Sequence, residues 1–395
     1  MEPALRDFLA GVFFLGVNAG ILSSVFNNYL NDSFHLSAGE RGFLEFPREL
    51  PGFLLIFVTG MLAMLPVRLW AVITSVLSAV GVFGLGFMSP SLAAMTVWML
   101  IWSMGGHLFM TVESVMGLRL SREGGQGRRL GQISGMTNFA AIAGAGLIWL
   151  LAGAAGEKLY KVIFFIAALS ALAAAAAFMR IKSGGGAAAP GGKRFVFRGT
   201  YKYFYILNVI VGARKQIFLT FAPWTLITAY GVTPAVMAKL MLAAAFLGVV
   251  FRQAFGIAVD KFGERKVFLA DALILVFICA GFVFSVNKWL LYALFILDNL
   301  MFATRIARVT YLNRIAENKA DIAPTISLGL TMDHAVSMTI PALGGILWAA
   351  YGYRPVFMAA SLLAVASFAV ALAVDEKSAR RFSAAGPAAE PVAAD

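Results

Sequence analysis

The stretch LLYALFILDNLMFATRIARVTYLNR, residues 290–314, is apolar enough to cross a bilayer and yet carries ionisable side chains. Asp298 and Arg305 are seven residues apart, so they lie on one face of a helix, two turns from each other, and Arg308 follows one turn later. Charge inside a membrane helix is costly unless it faces protein or water, and it therefore usually marks a pathway or a bound solute. The stretch predicts a membrane helix that forms one wall of a polar chamber.

The composition extends this interpretation to the whole chain. Of the 395 residues, 60% are hydrophobic and 13% are charged, whereas a soluble protein has about 25% charged residues. Apolar segments of roughly 20 residues recur along the chain, which indicates a polytopic helical membrane protein. The net charge of +12 does not indicate a nucleic-acid partner, because cytoplasmic loops of membrane proteins concentrate Lys and Arg. The single cysteine, Cys279, excludes an internal disulfide and a cysteine-rich metal site.

Hydropathy divides the chain into twelve predicted spans, so the predicted fold class is an all-α membrane protein. The spans run at about 6–30, 41–64, 69–88, 92–118, 131–153, 159–180, 202–229, 234–257, 266–286, 289–312, 325–350 and 354–374. Between the sixth and seventh spans lies IKSGGGAAAPGGKRFVFRGT, residues 181–200, which we interpret as a cytoplasmic linker. It separates two bundles of six helices, residues 1–180 and 201–375. The tail, residues 376–395, is predicted to be a disordered cytoplasmic segment.

Lys and Arg predict the orientation of the spans. With both termini in the cytoplasm, 20 of the 32 Lys and Arg side chains fall in cytoplasmic segments, five fall in outer segments, Arg41 among them, and seven fall within spans. Positively charged loops stay on the cytoplasmic side of a membrane. The bias therefore predicts a multi-pass protein of the cell inner (cytoplasmic) membrane with both termini in the cytoplasm.

The loop after span 8 carries a motif. GIAVDKFGERK, residues 256–266, matches the pattern G-x-x-x-D-[RK]-x-G-x-[RK]-[RK] and resembles the loop signature of the major facilitator superfamily. In that family the Asp and the basic residues latch the cytoplasmic gate, which implies a gating role for Asp260, Lys261 and Arg265. The corresponding first-half loop, GMLAMLPVRLW, keeps Arg68 but lacks the Asp. A symmetric cytoplasmic latch is therefore not expected.

The resemblance implies two pseudo-symmetric six-helix bundles that rock around a site near the bilayer midplane, as in a secondary transporter working by alternating access. It also implies that spans 1, 4, 7 and 10 line the cavity and that spans 3, 6, 9 and 12 face outward. The charges agree, because spans 3, 6 and 12 have no ionisable side chain in their interiors and span 9 has only Asp271. The sequence contains no Walker loop, catalytic triad or zinc spacing. We therefore expect neither an ATP-driven pump nor an enzyme, and neither a cofactor nor a metal.

Four cations lie within spans of the second half. GARKQIF, residues 212–218, places Arg214 and Lys215 near the middle of span 7. Span 10 contributes Arg305 and Arg308. The first half supplies mostly acids, so we expect a cavity that is basic on one side and acidic on the other. Arg305 could hold a solute anion in forked hydrogen bonds, with Arg214 or Lys215 as a second cation; alternatively, the charges pair across the halves and act only as gates.

The predicted substrate-binding set joins these cations to two amides. Its members are Arg305, Arg214, Lys215, Arg308, Asn18 and Asn299. Buried amides could bind solute hydroxyl or amide groups, but asparagines within bundles more often bond neighbouring helices, and this alternative stays open for Asn18.

Four residues are predicted to carry or relay a proton: Glu113, Asp298, Asp333 and His334. Alignment of span 4 with span 10 places Glu113 opposite Arg305, which suggests equivalent depths in the two halves. A Glu in such a chamber can exchange a proton near neutral pH, and this makes Glu113 a candidate proton carrier. The alternative is a fixed salt bridge to a basic neighbour.

Asp333 and His334 in span 11 form the second proton-relay candidate, since His titrates near neutrality. An alternative is that Asp333 braces Arg305 or Arg308. Metal ligation is disfavoured, because His107 is the one other histidine within a span and no cysteine is near.

Span 2 opens with RGFLEFPRELPGF, in which Glu45, Arg48 and Glu49 can pair at one-turn spacing. These residues fall near the outer third of the span, so an outer gate is favoured over direct contact with the solute. The complete predicted gating set is Glu45, Arg48, Glu49, Asp260, Lys261 and Arg265.

The residues together predict a proton-coupled transporter of a small anionic or zwitterionic organic solute. Its partners would be that solute, a coupling ion, H⁺, and the lipid bilayer, without nucleic acid, and the protein would act as a monomer. One alternative is proton-driven efflux of amphipathic drugs or lipids, since 34 phenylalanines and 17 methionines could line an apolar cavity. Another is a non-transporting membrane sensor or scaffold with the same fold.

Overall fold

The computed structural model describes residues 2–58, 65–121, 126–151, 157–181, 196–318 and 321–374, and these ranges contain helices and no strand. The first half contains α1 Pro3–Phe34, α2 Ala38–Phe43, α3 Glu45–Val58, α4 Val67–Phe87, α5 Leu92–Arg119, α6 Gln126–Leu151 and α7 Glu157–Met179. The second half contains α8 Lys202–Thr228, α9 Pro234–Phe262, α10 Glu264–Phe284, α11 Lys288–Met301, α12 Arg305–Ile315, α13 Ile322–Tyr351 and α14 Tyr353–Ala373. Two 3₁₀ turns, Gly199–Tyr201 and Phe302–Thr304, precede α8 and α12.

These helices correspond to the twelve predicted spans, with ends that differ by a few residues. Within the described ranges, ten helical segments are long and apolar enough to cross a membrane. The two remaining spans are the charged pair α2–α3 and helix α13. The predicted disorder of residues 376–395 and most of the predicted linker lie outside the described residues.

Two of the predicted spans, 2 and 10, are each divided into two helices in the structure. In span 2, α2 starts with a capping box in which the Ser37 side chain accepts from the Glu40 backbone N–H and the Glu40 carboxylate accepts from the Ser37 N–H. It ends before α3, where Pro47 has no N–H to continue the ladder. In span 10 the 3₁₀ turn Phe302–Thr304 separates α11 from α12, and such a tightened turn inside a helix is a frequent hinge element.

Small residues bring the helices of each bundle close together. In the first half, α1 packs on α6 and α7, and α4 packs on α5 and α7. A Cβ added to Gly144 of α6 would lie 2.6 Å from the carbonyl oxygen of Val17 on α1. Close approach of backbones at small residues is how membrane helices associate without a hydrophobic driving force.

The two halves meet at the end where α1 stops, which we call the closed end. There α2 and α3 pack on α13, and a Cβ on Gly345 would lie 2.7 Å from the carbonyl oxygen of Ala38. Asn28 of α1 donates across the halves to the Val232 carbonyl oxygen at 2.8 Å. At the opposite end, where α1 begins and α14 stops, no described atom lies within 4 Å of a Cβ built on Gly135 of α6. The two halves are therefore in close contact at the closed end, whereas at the other end, which we call the terminus end, the Cβ position of Gly135 has no close neighbour.

Candidate functional site

A cavity of about 250 Å³ lies between α8, α12 and α13 in the second half, and we call it the basic cavity. Its lining includes four cations and one acid, namely Arg214, Lys215, Arg305, Arg308 and Asp333. The remaining wall is largely apolar, with Phe204, Val211 and Met301, and includes the amide of Asn208. The structure thus brings four of the predicted substrate-binding residues into one space.

Arg214 is held by a buried partner. It forms an ion pair with Asp298 of α11, and each residue is only 2% exposed. Its guanidinium also lies 5.2 Å from the ring centroid of Phe218. A charge buried in this way depends on its partner, because removal of one member leaves the other uncompensated. The geometry therefore gives Arg214 and Asp298 a bracing contact between α8 and α11.

The side chain of Lys215 is more exposed than that of Arg214. It pairs with Asp333 of α13, and both side chains are 24% exposed. Asp333 approaches α8 at Gly212, where any Cβ would overlap its carboxylate. The expected bracing of Arg305 or Arg308 by Asp333 is replaced by this ion pair with Lys215.

Arg305 and Arg308 are the least satisfied cations of the basic cavity. Arg305 is exposed to it and makes no ion pair or hydrogen bond with another described residue. Within the same ranges, the buried Nε of Arg308 has no hydrogen-bond partner. Buried donors in native proteins are almost always paired, so an unpaired guanidinium facing a cavity is suited to an anionic guest.

A second cavity of about 350 Å³, the first-half cavity, lies between α1, α3, α5 and α6. Glu113 lines it and accepts a hydrogen bond from the Thr137 hydroxyl at 3.3 Å. Glu113 makes no ion pair with any described residue, so the structure does not place it in a fixed salt bridge there. Most of the surrounding wall is apolar and includes Leu15, Phe109 and Met110.

The two predicted amides have helix partners. Asn18 also lines the first-half cavity, but its Nδ2 donates to the Ala167 carbonyl oxygen of α7 at 2.9 Å. Asn299 donates to the Phe295 carbonyl oxygen of its own helix at 2.8 Å and does not line the basic cavity. Both contacts correspond to helix bonding.

A set of paired charges lies at the closed end; we call Arg41, Glu45, Arg48 and Gln216 the gate network. Glu45 is fully buried and accepts from Arg41 and Arg48, each at 2.6 Å. Gln216 of α8 donates to the same carboxylate at 3.1 Å, so the network joins the two halves. Sequence reasoning predicted Glu45 and Arg48 but missed Gln216.

Arg41 is the clearest departure from expectation. The orientation count places it in an outer loop, whereas it is 2% exposed in the structure. The capped helix α2 turns it inward, where its Nε donates to Asn27 at 2.9 Å and its Nη1 pairs with Glu45. Its four-residue spacing from Glu45 is the signal that could have identified it.

Glu49 connects three helices. Its Oε2 lies 3.0 Å from Nδ1 of His334 on α13 and 3.6 Å from Nε2 of His107 on α5. The two imidazole rings are 5.0 Å apart. His334 therefore faces Glu49, while its neighbour Asp333 faces Lys215, and the two do not form one relay.

The predicted gating residues of the second-half loop form no ion pair within the described ranges. Asp260 and Lys261 are exposed, and neither forms an ion pair with a described residue. Arg265 donates to the Leu372 carbonyl oxygen at 2.9 Å. Arg68, from the first-half loop, donates to the Ile181 carbonyl oxygen beyond α7 at 3.0 Å. Neither of these two hydrogen bonds crosses between the halves.

Comparisons with known proteins agree with the architecture. Residues 204–394 match the family model described as Major Facilitator Superfamily. A search of curated protein sequences found no match.

Three solved transporters illustrate the likeness of the fold. A mutant of the nucleoside transporter NupG superposes with a TM-score of 0.79 at 14% identity, over 94% of this chain and 99% of that chain. A bacterial homolog of the human lysosomal transporter Spinster, inward-facing and occupied, gives 0.72 at 14% identity over 96% of each chain. A D-xylose-proton symporter gives 0.68 at 14% identity, over 93% of this chain and 95% of that chain. The all-α membrane fold of two six-helix bundles is thereby confirmed.

Proposed function

We propose that the chain is a secondary transporter of the major facilitator superfamily and that it moves a small anionic or zwitterionic organic solute through the basic cavity. The match of residues 204–394 to the family model and the likeness to solved transporters support this proposal. The solute binds between α8, α12 and α13 while the closed end is sealed. It reaches the other side of the membrane when the bundles rock and the gate network separates. With the predicted orientation, the closed end faces away from the cytoplasm.

The observation that carries this proposal is the unequal pairing of the cations in the basic cavity. Arg214 already has Asp298, whereas neither Arg305 nor Arg308 forms an ion pair or hydrogen bond with a described residue. A carboxylate or phosphate on the solute supplies the missing acceptors, and a guanidinium binds it through two parallel hydrogen bonds. The volume, about 250 Å³, suits a small solute better than a drug-sized one, for which pockets of about 300–1,000 Å³ are usual.

Proton coupling follows from the pair between Lys215 and Asp333. A solute anion competes with Asp333 for the ammonium group, and protonation of Asp333 removes the competitor. Binding of proton and anion would thus support each other, as symport requires. Glu113, with one neutral partner, is a second proton carrier in the first half. A D-xylose-proton symporter and a POT family transporter in complex with 5-aminolevulinic acid share the fold, which is compatible with this proposal.

The test is uptake into proteoliposomes by purified protein. A thermal-shift screen with carboxylates, amino acids, phosphate esters and their uncharged analogues first selects the solute. Arg305→Ala should abolish uptake of that solute while the variant remains folded, since the site loses the guanidinium that would bind the anion through two hydrogen bonds. Arg354→Ala, an exposed arginine at the closed end, serves as the matched control and should transport normally.

Unchanged uptake by Arg305→Ala would remove Arg305 from the site. A wild-type protein that transports none of the stabilising compounds would instead support the sensor or scaffold.

The apolar wall around Glu113 favours a second candidate, proton-driven efflux of amphipathic drugs or lipids. In that case the screen would select apolar cations or lipids rather than anions. Transport would then depend on Glu113 and tolerate Arg305→Ala.

A further inference from the structure

The geometry points to a metal site that sequence reasoning disfavoured: Glu49, His107 and His334 bind one divalent transition-metal ion of the zinc type. Imidazole nitrogen and carboxylate oxygen are the donors that zinc accepts, and three protein ligands leave a fourth position for water. The site lies at the junction of α3, α5 and α13 and therefore joins the two halves of the protein.

The distances suit such an ion. The Glu49 oxygen is 3.0 Å from the His334 nitrogen and 3.6 Å from the His107 nitrogen, and the three donor atoms all lie within 4.8 Å of one another. Two donors bound to tetrahedral zinc at about 2.0–2.1 Å are about 3.3 Å apart. The separations measured from Glu49 bracket this value.

The tautomer of His107 gives an independent argument. Its Nδ1 lies 2.9 Å from the Ser103 carbonyl oxygen and 3.0 Å from the Ser103 hydroxyl, which itself donates to the Arg48 carbonyl oxygen. Both neighbours can only accept, so Nδ1 carries the hydrogen. The lone pair of a neutral His107 then lies on Nε2, the atom that faces the Glu49 carboxylate. Two electron-rich atoms in this position repel each other unless a cation lies between them, and metal-bound histidines typically donate their second N–H to such a carbonyl.

The surroundings make room for the ion and carry no excess positive charge that would repel it. A Cβ on Gly52, three residues after Glu49, would lie 2.6 Å from both imidazole rings, so glycine is needed for both histidines to reach the carboxylate. The second Glu49 oxygen accepts from Arg48 at 3.1 Å and leaves Oε2 for the ion. The two arginines of the gate network are matched by Glu45 and Glu49, so an incoming cation meets no excess positive charge.

An ion at this position would favour one conformation. Glu49 and His107 belong to the first half and His334 to the second, so the three donors converge only while the closed end is sealed. A ligand that binds one state more tightly shifts the population towards it. We therefore expect the metal to clamp the closed end and inhibit transport. This consequence rests on the proposed function, whereas binding of the metal does not.

The experiment uses the full chain, purified in detergent and stripped of metal with a chelator. Zn²⁺ is titrated in competition with a chromophoric indicator, and Co²⁺ is added as a spectroscopic probe of tetrahedral nitrogen and oxygen ligation. We expect one ion per chain, and binding at least about 100-fold weaker in His107→Ala, His334→Ala and Glu49→Gln. His35→Asn is the matched control, because His35 is the third histidine of the chain, is exposed, and has a positive φ that asparagine tolerates.

Absence of stoichiometric binding to the wild type, or equal binding by folded His334→Ala, would overturn the site and leave a protonated histidine as the cation facing Glu49.

The clamp is measured separately with spin labels at Gly135→Cys and Gly256→Cys in a Cys279→Ser background. Zn²⁺ should increase the population in which the two labels, one in each half, are farther apart at the terminus end. Because neither readout involves the solute, a failure here is distinguishable from loss of uptake in Arg305→Ala.

Discussion

The gate network and the basic cavity contain the same kinds of charged side chain, yet they differ in how these are paired. At the closed end, Glu45 is fully buried with three donors on its carboxylate. In the basic cavity, Arg305 has no partner among the described residues and Lys215 shares a partly exposed pair. Charges that satisfy each other hold two elements together, whereas charges left unsatisfied beside a cavity can bind a guest. The pairing, rather than the residue type, distinguishes the gate network from the basic cavity.

The largest effect is expected from Glu45→Gln, because Glu45 is the fully buried centre of the paired charges in the gate network. The change leaves Arg41 and Arg48 without their shared counter-charge, and loss of one member of a buried ion pair costs about 3–5 kcal/mol. Thermal unfolding in detergent should show a clear fall in Tm. Asp7→Asn, which removes a pair to the exposed Arg6, is the control and should change stability by less than about 1 kcal/mol. Equal Tm values for the two variants would contradict the assignment of Glu45 as the centre of the network.

An intermediate effect is expected from Lys215→Ala, which tests whether the partly exposed pair of the basic cavity differs in role from the buried pair of Arg214 and Asp298. Its pair with Asp333 is partly exposed, so stability should change little. Solute affinity should fall about tenfold to 100-fold, because a charge-assisted hydrogen bond contributes about 1.5–3 kcal/mol. Uptake kinetics should show this as a raised KM. A lower Tm without a change in KM would instead show that Lys215 holds two helices together, as Arg214 does for α8 and α11.

The smallest effect is expected from Glu40→Gln at the start of α2. Glu40 is exposed, and its carboxylate caps α2 through the backbone N–H and hydroxyl of Ser37. Glutamine can still accept from that N–H, so the loss should stay below about 1 kcal/mol. Transport should be unchanged. A large loss of uptake would show that the orientation of α2, and with it the burial of Arg41, depends on this cap.

The spans could be predicted from the sequence because hydropathy is a local property. The same holds for ionisable residues within spans, and Arg214, Lys215, Arg305 and Arg308 do line one cavity. Pairing could not be predicted in this way, because it depends on packing between distant helices. Glu49 and His334 are 285 residues apart and meet only when the two halves fold against each other.

The break in span 10 was missed for a related reason. Residues 302–304 contain neither Gly nor Pro, the usual signals of a helix interruption, and the 3₁₀ turn there has no local signature. The burial of Asp271 in span 9, where it is 4% exposed, likewise has no local signature. Tertiary contacts decide both features, and a one-dimensional pattern does not contain them.

The 3₁₀ turn also has a mechanical consequence. The buried pair between Arg214 and Asp298 ties α11 to α8 on one side of the turn, while Arg305 begins α12 on the other side. A guest that bridges Arg305 and Lys215 can therefore swivel α12 towards α8 and leave α11 in place. The turn would then allow the part of span 10 that contacts the guest to move while the part tied to α8 keeps its place in the bundle.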